Sequence, residues 1–120
     1  MALVHYLYVG HFIPEQGYVR FEDHQPVVSR PINRPAAVKL LRNYLGDAAN
    51  PDQLPEHWAM SIMPDYVVCD HLGSPPAALQ FAADYAQQEG ATIIDMGSFS
   101  LMTPEQLRQS AAALRPARPA

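Results

Sequence analysis

Asp70 and His71, with Ser74 close behind, and then Asp95, Ser98 and Ser100 are the residues of this chain whose types and spacing suit chemistry. Each group follows a short apolar run, Tyr66 to Cys69 in the first case and Ala91 to Ile94 in the second. Two carboxylates and an imidazole brought together can hold a divalent cation or pass protons. The reaction class would be hydrolysis or proton transfer. Carboxylates and serines after strands have a commoner and plainer use, which is to cap turns and helices. Asp70, His71 and Asp95 are therefore the candidate catalytic set, Ser74 and Ser98 are candidate ligand contacts, and the sequence names no metal and implies no cofactor.

Other reactive side chains carry weaker signals. The histidines at 5, 11, 24, 57 and 71 show neither the H-x-H nor the H-x-x-x-H spacing of a metal site. His5 shares a strand face with Leu3 and Leu7 and suits a core position. His11 follows Gly10, where a bulge would re-aim it. Asp23-His24 reads as a turn. Cys69 lies inside an apolar run and behaves there as a small hydrophobe, unless His71 lowers its pKa. The run His71-Leu-Gly-Ser74-Pro-Pro lacks a nucleophile elbow, and no glycine-rich phosphate loop is present. Arg20, Arg30, Arg34, Lys39 and Arg42 fall in one half of the chain. They suit an anionic ligand or an acidic partner, or simply a solvated face.

The elements that must position these residues can be read from punctuation and periodicity. Asp65 to Asp70 and Ala91 to Asp95 read as strands. Between them, Ser74 caps a helix, with Pro75 at its first position, that runs to about Glu89 and ends at Gly90. Strand, helix and strand suggest a right-handed parallel crossover. Adjacent parallel strands would set Asp70 and Asp95 side by side, roughly 5 Å apart. Leu79, Ala82, Ala83 and Ala86 form the inner stripe of that helix, flanked by Phe81 and Tyr85. Upstream, Leu3 to Val9 alternates as a central strand and resumes at Phe12 and Ile13. Pro14 to Gly17 turns it, Tyr18 to Asp23 returns antiparallel, and Val27 to Ser29 is a short edge strand.

Asn33 caps a second helix that ends at Leu45 before Gly46, with Ala37, Val38, Leu41, Tyr44 and Leu45 inward. A loop spans 47–57, and Trp58 to Met63 alternates as a strand. Thr103, Pro104 and Gln106 write a capping box for a last helix with Leu107, Ala111 and Leu114 inward. The sum is an α+β two-layer sandwich. It has a mixed sheet of four to five strands, an N-terminal antiparallel hairpin, a C-terminal βαβ unit and three helices mainly on one face. Residues 1–115 make one domain and 116–120 a flexible tail.

Composition bounds the function. The chain of 120 residues is 48% hydrophobic, which suits one domain with a real core. A formal charge of −4 argues against a nucleic-acid partner. No run approaches a membrane span, and the start lacks a basic, cleavable leader. With a single cysteine, these features suggest a cytoplasmic protein. Arginine-rich usage with abundant alanine and proline suits a GC-rich bacterial genome. Tyr6, Tyr8, Tyr18 and Trp58 concentrate near the hairpin and are candidate ligand contacts. If helices cover one sheet face, the three tyrosines line the other, a surface suited to a homodimer, a small apolar molecule or a protein partner. The leading expectation is thus a non-enzymatic binding or interaction module that self-associates. The alternative is a small metal-dependent or acid–base enzyme, hydrolase-like, built on Asp70, His71 and Asp95.

Overall fold

The computed structural model describes residues 6–114. Leu3 and His5 of the expected first strand, the Leu114 side chain and the tail 116–120 lie outside the described residues. In chain order the strands are β1 (Tyr6–Phe12), β2 (Pro14–Glu15), β3 (Tyr18–Val19), β4 (Phe21–Glu22), β5 (Gln25–Pro26) and β6 (Val28–Arg30). Helix α1 (Arg34–Leu45) follows, then a 3-10 turn at Glu56–Trp58, β7 (Met60–Ile62), β8 (Tyr66–Asp70), α2 (Pro76–Glu89), β9 (Thr92–Asp95), β10 (Ser100–Met102) and α3 (Pro104–Leu114). The class is α+β, with the three helices packed as one layer on a sheet ordered β10-β9-β1-β8-β7, while β6 pairs with the far end of β1.

The crossover differs from expectation in one respect that decides the geometry of the strand ends. β8 and β9 run parallel, but they are not neighbours. β1 lies between them and pairs antiparallel with both, Leu7 opposing Cys69 on one side and Asp95 on the other. β1 is apolar on both faces, as a central strand must be. Leu7 and Val9 are fully buried under the helices, whereas Tyr8 and Phe12 point to the opposite face. Gly10 pairs without a break, and the register slips instead between His11 and Phe12, against β6. Glycine is needed at position 10 for close approach, since a Cβ there would stand 3.0 Å from the Phe12 ring and 3.1 Å from Tyr66 Cβ.

The helix layer follows from small residues. Ala78, Ala82, Ala83 and Ala86 let α2 lie close on the sheet, while Leu79, Phe81 and Tyr85 fill what remains. Each such large side chain, fully buried, contributes about 1.5–3 kcal/mol. Local signals set the helix ends. Asn33 accepts from the Ala36 N–H at 3.2 Å, and the Thr103–Gln106 box closes through bonds of 3.1 and 2.9 Å. Trp58 sits in the 3-10 turn rather than in the strand, which begins at Met60 after Ala59 adopts a left-handed φ of 49°.

The stretch between β1 and β6 folds as two tight hairpins. Their two-residue turns, Gln16-Gly17 and Asp23-His24, all have positive φ, as the turn geometry that matches strand twist requires. Ile13, Arg20 and Val27 join the hairpin bases in a ring of backbone bonds: Ile13 N–H to Val27 C=O, Val27 N–H to Arg20 C=O and Arg20 N–H to Ile13 C=O, at 2.8–3.0 Å. Val19 is buried with Phe12 and Ile94, and Tyr18 and Phe21 pack on them, so the hairpins cover part of the face opposite the helices. Among the described residues, no helix is long and apolar enough to cross a membrane.

Candidate functional site

Opposed residues on neighbouring strands share a face. Asp70 opposes Tyr6 on the hairpin side, and Asp95 opposes Leu7 on the helix side. With β1 between them, the two carboxylates do not converge, and the expected side-by-side pair is not found. Asp70 is engaged in its own turn. Its Oδ1 accepts the Leu72 N–H at 3.0 Å, and a Cβ at Gly73 would come within 2.7 Å of its Oδ2. Ser74 is 3% exposed, accepts from the Asp70 N–H and donates to the Ala59 carbonyl, both at 3.2 Å. It therefore ties the turn to the residue before β7 and does not cap α2. The cap position is Pro75, with Pro76 opening the helix, and two prolines remove N–H donors that a ligand would use.

His71 is where side chains do meet. Its Nδ1 lies 3.5 Å from Asp95 Oδ2 and its Nε2 lies 2.6 Å from Ser110 Oγ on α3. Asp95 Oδ1 accepts the Gly97 N–H at 2.9 Å, which fixes the carboxylate's orientation. The imidazole and the carboxylate are mostly buried, at 17% and 13% side-chain exposure. Which atom donates between His71 Nε2 and Ser110 Oγ depends on the ring tautomer: with the ring proton on Nδ1, toward the carboxylate, the Ser110 hydroxyl donates to Nε2. Sequence reasoning missed Ser110, which sits in an alanine-rich helical stretch with no local mark. Ser98 is exposed, and its hydroxyl pairs with that of Ser100 at 2.6 Å.

The hairpin side of the sheet holds a second candidate. The hairpins cover the sheet over Phe12 and Ile94 and leave the rest open. There, a groove of about 440 Å³ is lined by Tyr6, Tyr8, Ser61, Met63, Tyr66 and Val68, with Asp70 also in its wall. Tyr6 and Met63 are 44% and 41% exposed. Tyr8 stands edge-on to both Tyr6 and Tyr66, at centroid distances of 6.4 and 5.0 Å. Burial and the neighbouring phenols of Tyr66 and Tyr6 raise the Tyr8 pKa, so its hydroxyl stays neutral at physiological pH. Tyr18 lies on the same side but within the hairpin cover. Among the described residues its hydroxyl is buried without a partner, and desolvation, then the Asp95 charge, raises its pKa. Trp58 is on the helix side, 3% exposed against Tyr44 and Phe81, and does not reach this groove.

The remaining reactive side chains have structural partners. His11 is buried and bonds Glu89 at 3.1 Å, pinning the end of α2 to β1. His24 is an exposed turn residue. Cys69 has its thiol pushed up to about 12 by burial and the adjacent Asp70 charge, with a Ser74 hydrogen bond acting the other way, so it offers no thiolate at neutral pH. Arg34, Lys39 and Arg42 share a shallow groove on the outer side of α1, where Arg34 is bound to Asp52 at 2.6 Å. Among the described residues, no three His, Cys, Asp or Glu side chains are grouped to hold a metal ion. No family model, curated protein or solved structure matches the chain.

Proposed function

We propose that this protein is a binding module that self-associates through the open half of its sheet. The supporting observation is the groove of Tyr6, Tyr8, Tyr66, Met63 and Val68 beside the hairpin cover. Its lining is rich in tyrosine and poor in charge, the composition of an interface core. On the same face, in register with Ser61, Val68 and Tyr8 but beyond the covered Ile94, Leu101 is 45% exposed. A second copy brings a face of the same twist, and sheets pack well in that way about a two-fold axis. Sedimentation velocity from low micromolar to near-millimolar protein tests the reading. A dimer that grows with concentration and is weakened by Tyr6→Glu or Tyr8→Glu is the expected result. A strict monomer throughout overturns it and leaves the groove to a small apolar molecule, for which its volume suffices.

A second reading rests on its own observation, the contact of His71 with Asp95 and Ser110. In it the chain carries a hydrolase-like acid–base site in which His71 transfers the proton. Its measurement is His71-dependent hydrolysis of p-nitrophenyl acetate. A rate unchanged in His71→Gln removes it.

A further inference from the structure

Ser110, His71 and Asp95 come from α3, the β8–α2 turn and the end of β9, three separate elements. They nevertheless form one ordered chain of contacts: hydroxyl to Nε2 at 2.6 Å, then Nδ1 to carboxylate at 3.5 Å. The carboxylate is held from behind by the Gly97 N–H. A nucleophile, a base within hydrogen-bond reach and a third group orienting the base are the three parts of an activated serine, recognised by geometry and not by sequence position. Ser110 is only partly buried, and its contact with His71 is part-buried.

We infer that Ser110 is an acylatable nucleophile and that short activated carboxylic esters are the substrates it takes. This rests on the acid–base reading of His71. In the acylation step, Ser110 Oγ attacks the ester carbonyl while His71 Nε2 takes the hydroxyl proton. The tetrahedral adduct then breaks its bond to the alkoxy or aryloxy leaving group, which departs with that proton. Water, deprotonated by His71, attacks the acyl-serine. It releases the carboxylic acid and returns the proton to Ser110. Asp95 is a positioning residue whose carboxylate, 3.5 Å from Nδ1, favours the ring proton on that nitrogen. The limit to activated esters follows from the helix. The Ser110 N–H lies inside α3 and is spent in the helical ladder, so it cannot stabilise the oxyanion. Good leaving groups make that loss tolerable, whereas amides would not react.

The test is labelling of the whole protein with a fluorophosphonate probe, with the site read by peptide mass spectrometry, alongside hydrolysis of p-nitrophenyl acetate. Label at Ser110, absent in Ser110→Ala and slowed about 10²–10⁴-fold in His71→Gln, is the expected result. Asp95→Asn should slow labelling and change its pH profile, which a packing defect alone would not do. Thermal melts of each variant separate these effects from unfolding. Hydrolysis that needs His71 but persists in Ser110→Ala overturns the nucleophile and leaves the acid–base reading standing. No label and no His71-dependent hydrolysis overturns both, and makes the three residues a clamp between the β8–α2 turn and α3.

Discussion

The two faces of the one sheet are closed by different means. On the helix side, Leu7, Val9, Val67, Cys69 and Ile93 are sealed under three helices, and Phe81, Leu79 and Tyr85 have no exposed surface. A polar strap then binds that layer from outside. Asp84 on α2 accepts from Tyr44 of α1 at 2.5 Å and from Arg108 of α3 at 2.6 and 3.1 Å. On the other side, among the described residues, Phe12, Val19 and Ile94 are buried beneath the hairpins, Tyr8 and Tyr66 pack against them partly buried, and Tyr6 stays 44% exposed. One face is finished by packing and reinforced by charge. The other is left half apolar and half open, in a form that a second surface can complete. Under the proposed function, stability and recognition fall on opposite sides of β1.

That division can be broken by substitution. Phe81→Ala empties a fully buried site on the helix side and should cost about 3–5 kcal/mol, read as a lower urea midpoint. A loss below about 1 kcal/mol would mean the helix face is not the main core. Asp84→Ala removes the shared acceptor of the strap. Because the Asp84 and Arg108 side chains are 38% and 32% exposed, the expected cost is smaller, about 1–2 kcal/mol by chemical denaturation. Tyr6→Glu, on the open face, should change monomer stability by no more than about 0.5 kcal/mol while weakening the dimer. A large loss of monomer stability would show the open face to be core after all.

A pH titration sharpens the same contrast. Burial, the hydrogen bond to Asp84 and that carboxylate's charge push the Tyr44 phenol from 10.0 up to about 12, with Arg108 partly offsetting them. The Cys69 thiol is pushed from 9.0 up to about 12. Both belong to the helix side. Each pKa is raised by folding, so the unfolded chain releases its proton first. Their contribution is complete below pH 9.0 and is lost as pH climbs toward about 12. The urea midpoint should fall across that window, and Tyr44→Phe should flatten the part above pH 10.0. An unchanged slope in that variant would show that Tyr44 is not a source of the loss.

What the sequence made legible was whatever is encoded locally. Asn33, Thr103, Gln106, Gly46 and Gly90 mark helix ends through bonds made within a few residues, and the structure makes them. The alanine stripe of α2 is legible for the same reason. The site was legible only in pieces. The polar ends of the two apolar runs point to His71 and Asp95, which do meet, whereas Asp70 joins them only if β8 and β9 are neighbours, and β1 separates them. Nothing in residues 64–97 announces that β1 will enter between the two strands, because that pairing is settled by distant apolar residues. Ser110 stayed hidden because its partner is in a turn far away, and a lone serine between Gln109 and Ala111 has no periodicity of its own.

The central place of β1 also has a consequence for how the molecule is made. Its neighbours in the sheet, β8 and β9, leave the ribosome long after it does, with Leu7 waiting for Cys69 and then for Asp95. Until then this strand, the longest of those described, has the short partner β6 and the hairpins beside it. Loop-closure entropy must be met twice before either long pairing forms, which slows assembly and exposes an unpaired strand while it proceeds. Rearranging the chain so that β1 is synthesised between β8 and β9 would leave the finished sheet unchanged and shorten the interval in which it can aggregate.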